Sequence, residues 1–317
     1  MSAATAVVFA YHDVGVRCLK TLLSGGVRVP LVVTVADDPA EQQWFASVAA
    51  SAAAYNIPVT MAEEAGDGLE QRVAGLQPDF IFSFYYRSLL SAALLRCARR
   101  GALNIHGSLL PRYRGRAPVN WAILRGERET GATLHYMVEQ ADAGDIVDQL
   151  AVPILADDTA QEVFAKVTVA AEVILARSLP SLLAGTAARH PQTLQSGQYF
   201  GRRRAEDGRI DWTQPAQRIH DLVRAVAPPF PGAFTEVRGQ RWCINRTCIE
   251  PGVQLPPGPD PSAAGSTGAR LTASNGKCYV RCADGGVLRL LSVSTIKGPL
   301  DLEQAAAELE RNPVSLS

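Results

Sequence analysis

The chain has 317 residues, 47% of them hydrophobic, with 31 Lys and Arg set against 31 Asp and Glu. That length leaves room for about two domains, each able to bury its own core. The even charge balance makes no field that would gather a polyanion such as tRNA or DNA, so nucleic acid is not an expected partner and any phosphate must be held locally.

The opening MSAATAVVFAYHDVG has no basic region ahead of its apolar run, which breaks at Tyr11-His12-Asp13. It reads as a first strand rather than a signal peptide, and no later run approaches the ~18 uninterrupted apolar residues of a membrane span. A cytoplasmic protein is expected. AVVFAY is a strand, GVRCLKTLLSGG a helix stopped by glycines, VPLVVTVA a strand, PAEQQWFASVAASAAAYN a helix and, after GLEQRVAGLQ, PDFIFSFYY a strand. This alternation predicts an α/β fold, a Rossmann-like doubly wound parallel sheet. Only Gly15 follows the first strand, so the G-x-G-x-x-G fingerprint is missing, which argues against the usual dinucleotide mode.

ALNIHGS reads as a strand running into a loop, APVNWAILRGE as a short helix with Pro118 in its first turn, and TGATLHYMVEQ as a strand. TAQEVFAKVTVAAEVILARSLPSLLAG is a long amphipathic helix with Thr159 as its cap and Gly185 at its end. The arginine-rich connector ARHPQTLQSGQYFGRRRAEDGRIDW then leads to short strands, GAFTEVRG, RWCINRTCIE, KCYVRCAD and VLRLLSVST, expected to form a small antiparallel, OB-like β-barrel. The Pro/Gly/Ser-rich EPGVQLPPGPDPSAAGSTGAR among them is a loop without an assigned role. The expected division is roughly residues 1–190 for the catalytic domain, 191–210 for a linker and 211–317 for the barrel. Cys18, Cys97, Cys243, Cys248, Cys278 and Cys282 read as reduced thiols. Their C-x4-C and C-x3-C spacings fit zinc knuckles poorly, so no metal is expected.

In a strand, residues i and i+2 project from the same face, so Asn104 and His106 point together at whatever lies beyond the strand end. An amide N–H beside an imidazole suits a developing oxyanion. In EQADAGDIVDQ, Asp142 and Asp145 offer a carboxylate that can pair with His106 or take a proton from an attacking amine. The plainer alternative is that the Asn and His satisfy loop backbone and the aspartates cap a turn. Arg112, Arg114 and Arg116 form either an anion site ahead of the next helix or a solvated basic face. Arg202, Arg203 and Arg204 are flanked by acids and read as self-paired surface charge. Ser108 lies beside His106 but outside any G-x-S-x-G elbow, so a serine nucleophile is set aside.

LNIHGSLLPRYRGRAPVNWAILRGERETGATLHYMVEQADAGDIV, from Leu103 to Val147, closely resembles the signature of the 10-formyltetrahydrofolate-dependent formyltransferases: Asn-x-His, then SLLP-x-x-R-G, then an Asp in an AD-x-G turn. The resemblance implies catalytic roles for Asn104, His106 and Asp142. VVFAYHDVG, FIFSFYYRSLL, RAPVNW, YFGRRR and RAVAPPFPGAF are further similar to the formyltransferase domain of the bifunctional enzyme acting on UDP-4-amino-4-deoxy-L-arabinose in lipid A modification, here without the decarboxylase domain. That branch implies 10-formyltetrahydrofolate as donor and a UDP-linked 4-amino sugar as acceptor. It places folate against Phe84, Tyr85, Tyr86, Arg87, Leu89 and Asp145, the sugar nucleotide against Tyr11, Arg114 and Arg204, and makes the chain a monomer or weak dimer. EDGRIDW is closer to methionyl-tRNA formyltransferases, which, with formylation of another nucleotide-linked amino sugar, is the alternative.

Overall fold

The computed structural model describes residues 3–36, 43–194, 199–255 and 267–316. Its first strand, β1 (Thr5–Ala10), is buried at every residue, as an apolar run covered on both faces must be. The strands β2 (Arg28–Thr34), β3 (Val59–Met61), β4 (Phe80–Phe84), β5 (Gly101–His106), β6 (Arg114–Gly115), β7 (Glu129–Tyr136) and β8 (Ile146–Pro153) follow. Between and after them come the helices α1 (His12–Ser24), α2 (Val48–Ala54), α3 (Ala62–Ala65), α4 (Leu69–Leu76), α5 (Ala92–Arg96), α6 (Pro118–Leu124) and α7 (Ala160–Ala184). The main sheet runs β3-β2-β1-β4-β5-β7-β8.

Its first five strands are parallel, as the βα alternation predicts for β2, β1, β4 and β5; the three-residue β3 is an addition to that reading. β7 and β8 depart from this: β7 runs antiparallel to β5 and β8 antiparallel to β7. For β8 the reason is the connection, since residues 137–145 between β7 and β8 are too few for a crossover, and consecutive strands so joined pair antiparallel. β8 carries no clean alternation and was not anticipated as a strand. Val7, Phe9, Leu31, Val33, Val73, Ile81, Leu94 and Ala102 form one core cluster, each large member contributing roughly 1.5–3 kcal/mol by its burial.

The helix expected from Pro39 is shorter than its Ala-rich run suggests. Ser47 Oγ accepts from Ala50 N–H at 3.2 Å and caps α2 there, which leaves Trp44 and Phe45 outside the helix; residues 37–42 lie outside the described residues. Thr159 does cap α7, its hydroxyl accepting from Glu162 N–H while the Glu162 carboxylate accepts from Thr159 N–H at 2.7 Å, a reciprocal capping box. Gly185 follows with φ +74°. By length and composition α7 is apolar enough to cross a membrane, but Val167, Ala171, Ile174 and Leu175 are fully buried within the fold.

Packing separates two units. The first holds Met1–Pro118, Glu129–Pro153 and Phe164–Gly201, and the second Val119–Arg128, Ile154–Val163 and Arg202–Ser317. In the first, β9 (Tyr199–Phe200) pairs with β6. The second is an antiparallel sheet of β10 (Ala233–Val237), β11 (Gln240–Ile249), β12 (Arg270–Ser274), β13 (Lys277–Arg281), β14 (Val287–Thr295), β15 (Gly298–Pro299) and β16 (Val314–Ser315). Its order is β10-β11-β14-β13-β12-β16, with β15 on β14. Helices α8 (Ala216–Val226) and α9 (Leu302–Arg311) pack on it. Most of the Pro/Gly/Ser loop lies outside the described residues. All six cysteines are free, and burial pushes the Cys278 thiol up to about 11.

Candidate active site

β4 and β5 end side by side, with Phe84 paired to Ile105, and open sheets of this type receive ligands beyond the carboxyl ends of their strands. A cleft of about 620 Å³ opens there, entirely within the first unit. Asn104 and His106 reach it from β5, His135 from β7, and Asp142 from the turn after β7. The i, i+2 spacing puts the β5 pair on one face. Antiparallel pairing with β7 then sets His135 directly opposite Asn104.

The four side chains form one connected group. Asn104 Nδ2 lies 3.1 Å from His135 Nε2. His106 Nε2 lies 2.9 Å from the carbonyl of Tyr113, and its Nδ1 faces Asp142 Oδ1 at 3.5 Å. The same Oδ1 is 3.8 Å from His135 Nε2. Asp142 Oδ2 accepts Gly115 N–H at 2.9 Å, so one carboxylate oxygen is held by backbone and the other stands between two imidazoles. Burial lowers the His135 pKa to about 4 against an opposing pull from Asp142.

Local backbone explains why Asp142 arrives there. It sits at φ +54°, a left-handed conformation that Asp tolerates better than most residues. Gln192 Nε2 donates to the carbonyls of Asp142 and Gly144 at 3.2 and 2.6 Å. At Gly144 an added Cβ would overlap the Tyr136 carbonyl, so only glycine lets the turn close this tightly. A Cβ on Gly107 would likewise overlap the Tyr85 hydroxyl, which packs against that glycine.

The structure redistributes the remaining expected residues. Tyr85, Tyr86, Arg87 and Leu89 line the cleft. The Phe84 side chain does not: its ring is buried in the sheet, stacked 5.5 Å from Phe82, which leaves only its main chain to face a cofactor. Asp145 is also off the cleft wall, and its carbonyl accepts Tyr136 N–H at 2.9 Å to close the turn. Tyr11 is buried beside a smaller, separate cavity with His12 and Phe45, and the Arg87 guanidinium lies 4.4 Å over its ring. Arg204 belongs to the second unit, exposed, its N–H donating to Asp207.

The three loop arginines part company. Arg116 is exposed on the cleft wall, whereas Arg114 lies behind that wall, only 6% exposed, and its Nε has no hydrogen-bond partner among the described residues. A buried cation left incompletely paired favours an incoming anion. Ser108 is fully buried and donates to the Arg112 carbonyl at 2.6 Å, which occupies the hydroxyl that a nucleophile would need. Sequence reasoning passed over His135, because a histidine inside TLHYM shows no partner until the register between β5 and β7 is known.

This arrangement can hold a planar ligand along the aromatic wall, stabilise negative charge at the Asn104 amide, and receive a proton at Asp142 or through the His106 ring beside it. Two family models match the chain: "Formyl transferase" over residues 7–179 and "Formyl transferase, C-terminal domain" over residues 203–308. Among similar solved structures is an N-formyltransferase from Helicobacter canadensis in complex with folinic acid and dTDP-3-aminofucose. It shares 19% identity at a TM-score of 0.68, over 91% of this chain and 99% of that one. A 4-N formyltransferase from Francisella tularensis shares 22% identity at a TM-score of 0.60, over 75% of this chain and 95% of that one. HypX from Aquifex aeolicus in complex with tetrahydrofolic acid shares 20% identity at a TM-score of 0.61, over 98% of this chain and 48% of that one. At these identities the likeness is one of fold.

Proposed function

The chain belongs to the formyl transferase family, and from that premise we propose that it transfers a formyl group from 10-formyltetrahydrofolate to the 4-amino group of UDP-4-amino-4-deoxy-L-arabinose. The observation that carries this reading is the convergence of Asn104, His106 and Asp142 on one cleft, with Asp142 Oδ1 within 3.5 Å of the His106 ring. The neutral amine attacks the formyl carbon, and the carbonyl oxygen becomes an oxyanion facing the Asn104 amide, while His106, its Nε2 donating to the Tyr113 carbonyl, keeps Nδ1 turned to Asp142. The nitrogen gives up its proton to Asp142, either directly or through His106. The C–N bond to N10 of the folate then breaks as N10 takes a proton, leaving the formamide and tetrahydrofolate. No step needs a metal or a covalent enzyme intermediate.

The size and lining of the cleft support the folate assignment. About 620 Å³ lies within the range of ordinary cofactor pockets, and Tyr85, Tyr86 and Leu89 supply the apolar wall such pockets use. Arg114, off the cleft wall itself but next in the chain to Gly115 and Arg116 which line it, supports a diphosphate-bearing acceptor through its incompletely paired guanidinium. The FAYHDVG and RAPVNW segments favour the UDP-sugar branch by their resemblance. A neighbouring fold crystallised with dTDP-3-aminofucose favours a second reading, in which the acceptor is another nucleotide-linked amino sugar.

The test is an assay of tetrahydrofolate release from 10-formyltetrahydrofolate with three acceptors: UDP-4-amino-4-deoxy-L-arabinose, a dTDP-linked amino sugar and charged initiator tRNA. Turnover with the UDP sugar alone supports the reading. Preference for the dTDP sugar shifts it to the second, and turnover only with tRNA overturns both.

A further inference from the structure

His135 is only 1% exposed, lies in hydrogen-bonding range of the Asn104 amide, and has no part in the chemistry set out above. Its ring is constrained from both ends. Nδ1 lies 2.8 Å from the carbonyl of Tyr136; a carbonyl only accepts, so Nδ1 carries hydrogen. Nε2 lies 3.1 Å from Asn104 Nδ2, and an amide nitrogen only donates, so Nε2 must be bare. The two contacts specify one neutral tautomer. The low pKa of about 4 produced by burial keeps the ring neutral in the face of Asp142 at 3.8 Å and His106 beyond it.

We propose that His135 is a positioning residue: by accepting one Nδ2 hydrogen it locks the Asn104 amide, so that the second N–H stays available to the formyl oxygen. A side-chain amide turned through 180° would present its own carbonyl oxygen there, which repels an oxyanion instead of binding it. The lock follows from register. Asn104 and His135 are a direct cross-strand pair in the β5–β7 ladder, where opposite Cβ atoms lie about 5 Å apart. A slip of one residue would put Leu134 or Tyr136 opposite the amide instead, neither offering a ring nitrogen as acceptor. The catalytic consequence rests on the formyl-transfer reading, whereas the tautomer does not.

The experiment pairs a ring measurement on the wild-type protein with two variants. Nitrogen NMR of 15N-histidine-labelled protein is expected to show His135 with hydrogen on Nδ1 and a bare Nε2 throughout about pH 5 to 8, as the depressed pKa requires. Hydrogen on Nε2, or a second proton gained near the ordinary histidine value, overturns the proposal. In turnover assays, His135→Leu, which has no acceptor, should lower kcat by about 100-fold, the scale of a misplaced reacting group, with KM for the folate changed less than about twofold. His135→Gln restores an acceptor near the Nε2 position and should recover most of that loss. Equal losses in both variants, or a Leu variant with wild-type kcat, overturn the lock. If no acceptor is formylated at all, the functional reading falls, while the NMR result still decides the tautomer.

Discussion

Asp142 Oδ1 stands 3.5 Å from His106 Nδ1 while Asp142 Oδ2 is held at 2.9 Å by the backbone N–H of Gly115. The carboxylate is therefore divided between an anchoring oxygen and a working one. Asp142→Asn keeps size and an acceptor for Gly115 but removes the charge, so kcat should fall by about 10²–10⁴ with little change in Tm. A variant that keeps near-wild-type turnover would remove Asp142 from the proton path.

Arg114 is buried, and among the described residues its Nε has no hydrogen-bond partner, so an anion reaching it should restore what burial has taken from it. Arg114→Met is expected to raise KM for the sugar nucleotide by about 10- to 100-fold, the loss of one or two charge-assisted hydrogen bonds, and to leave kcat within a few fold. A steady-state comparison of KM and kcat checks this. A fall in kcat at unchanged KM would move Arg114 from binding to scaffold.

The Tyr85 hydroxyl occupies the space that a side chain on Gly107 would take. Gly107→Ala should destabilise the fold by about 1–3 kcal/mol through overpacking, and Tyr85→Phe should relieve part of that cost. Urea unfolding of the single and double variants gives the coupling. Strict additivity would mean that the two groups do not meet.

In the second unit, Arg224 and Asp221 pair at 2.7 Å with side chains only 7% and 2% exposed. Removing one partner strands a buried charge, so Asp221→Ala should cost about 3–5 kcal/mol, measured by denaturant unfolding. A loss below about 1 kcal/mol would mean that water reaches Arg224.

Acid should destabilise the protein through two histidines. Burial, aided by the Arg87 guanidinium, lowers His12 to about 3, and burial lowers His135 to about 4. Both values lie below the unfolded 6.5, so between about pH 6.5 and 4 the unfolded chain binds more protons than the folded one. Stability therefore falls as pH falls through that window, each group adding about 1 kcal/mol per pH unit. His12→Phe, which preserves stacking on Phe45 (4.1 Å between ring centroids), should reduce the slope; an unchanged acid slope in that variant would show that His12 already takes up its proton when folded.

Much of this protein follows from local rules that a sequence displays directly. The alternation of β-branched runs with helical ones specifies the parallel strands β1, β2, β4 and β5. The Thr159 to Glu162 spacing specifies where α7 begins, and the two-residue step from Asn104 to His106 commits both side chains to one face. These features depend on periodicity, capping and turn chemistry, which act within a few residues. Tertiary structure alone decided that Phe84 faces the core while Tyr85, one residue on at φ +56°, lines the cleft. It also decided that Arg114 is buried while Arg116 is exposed, and that His135 meets Asn104. Each of these outcomes depends on which strand lies alongside which and in what register, a choice made by packing between residues far apart in the chain.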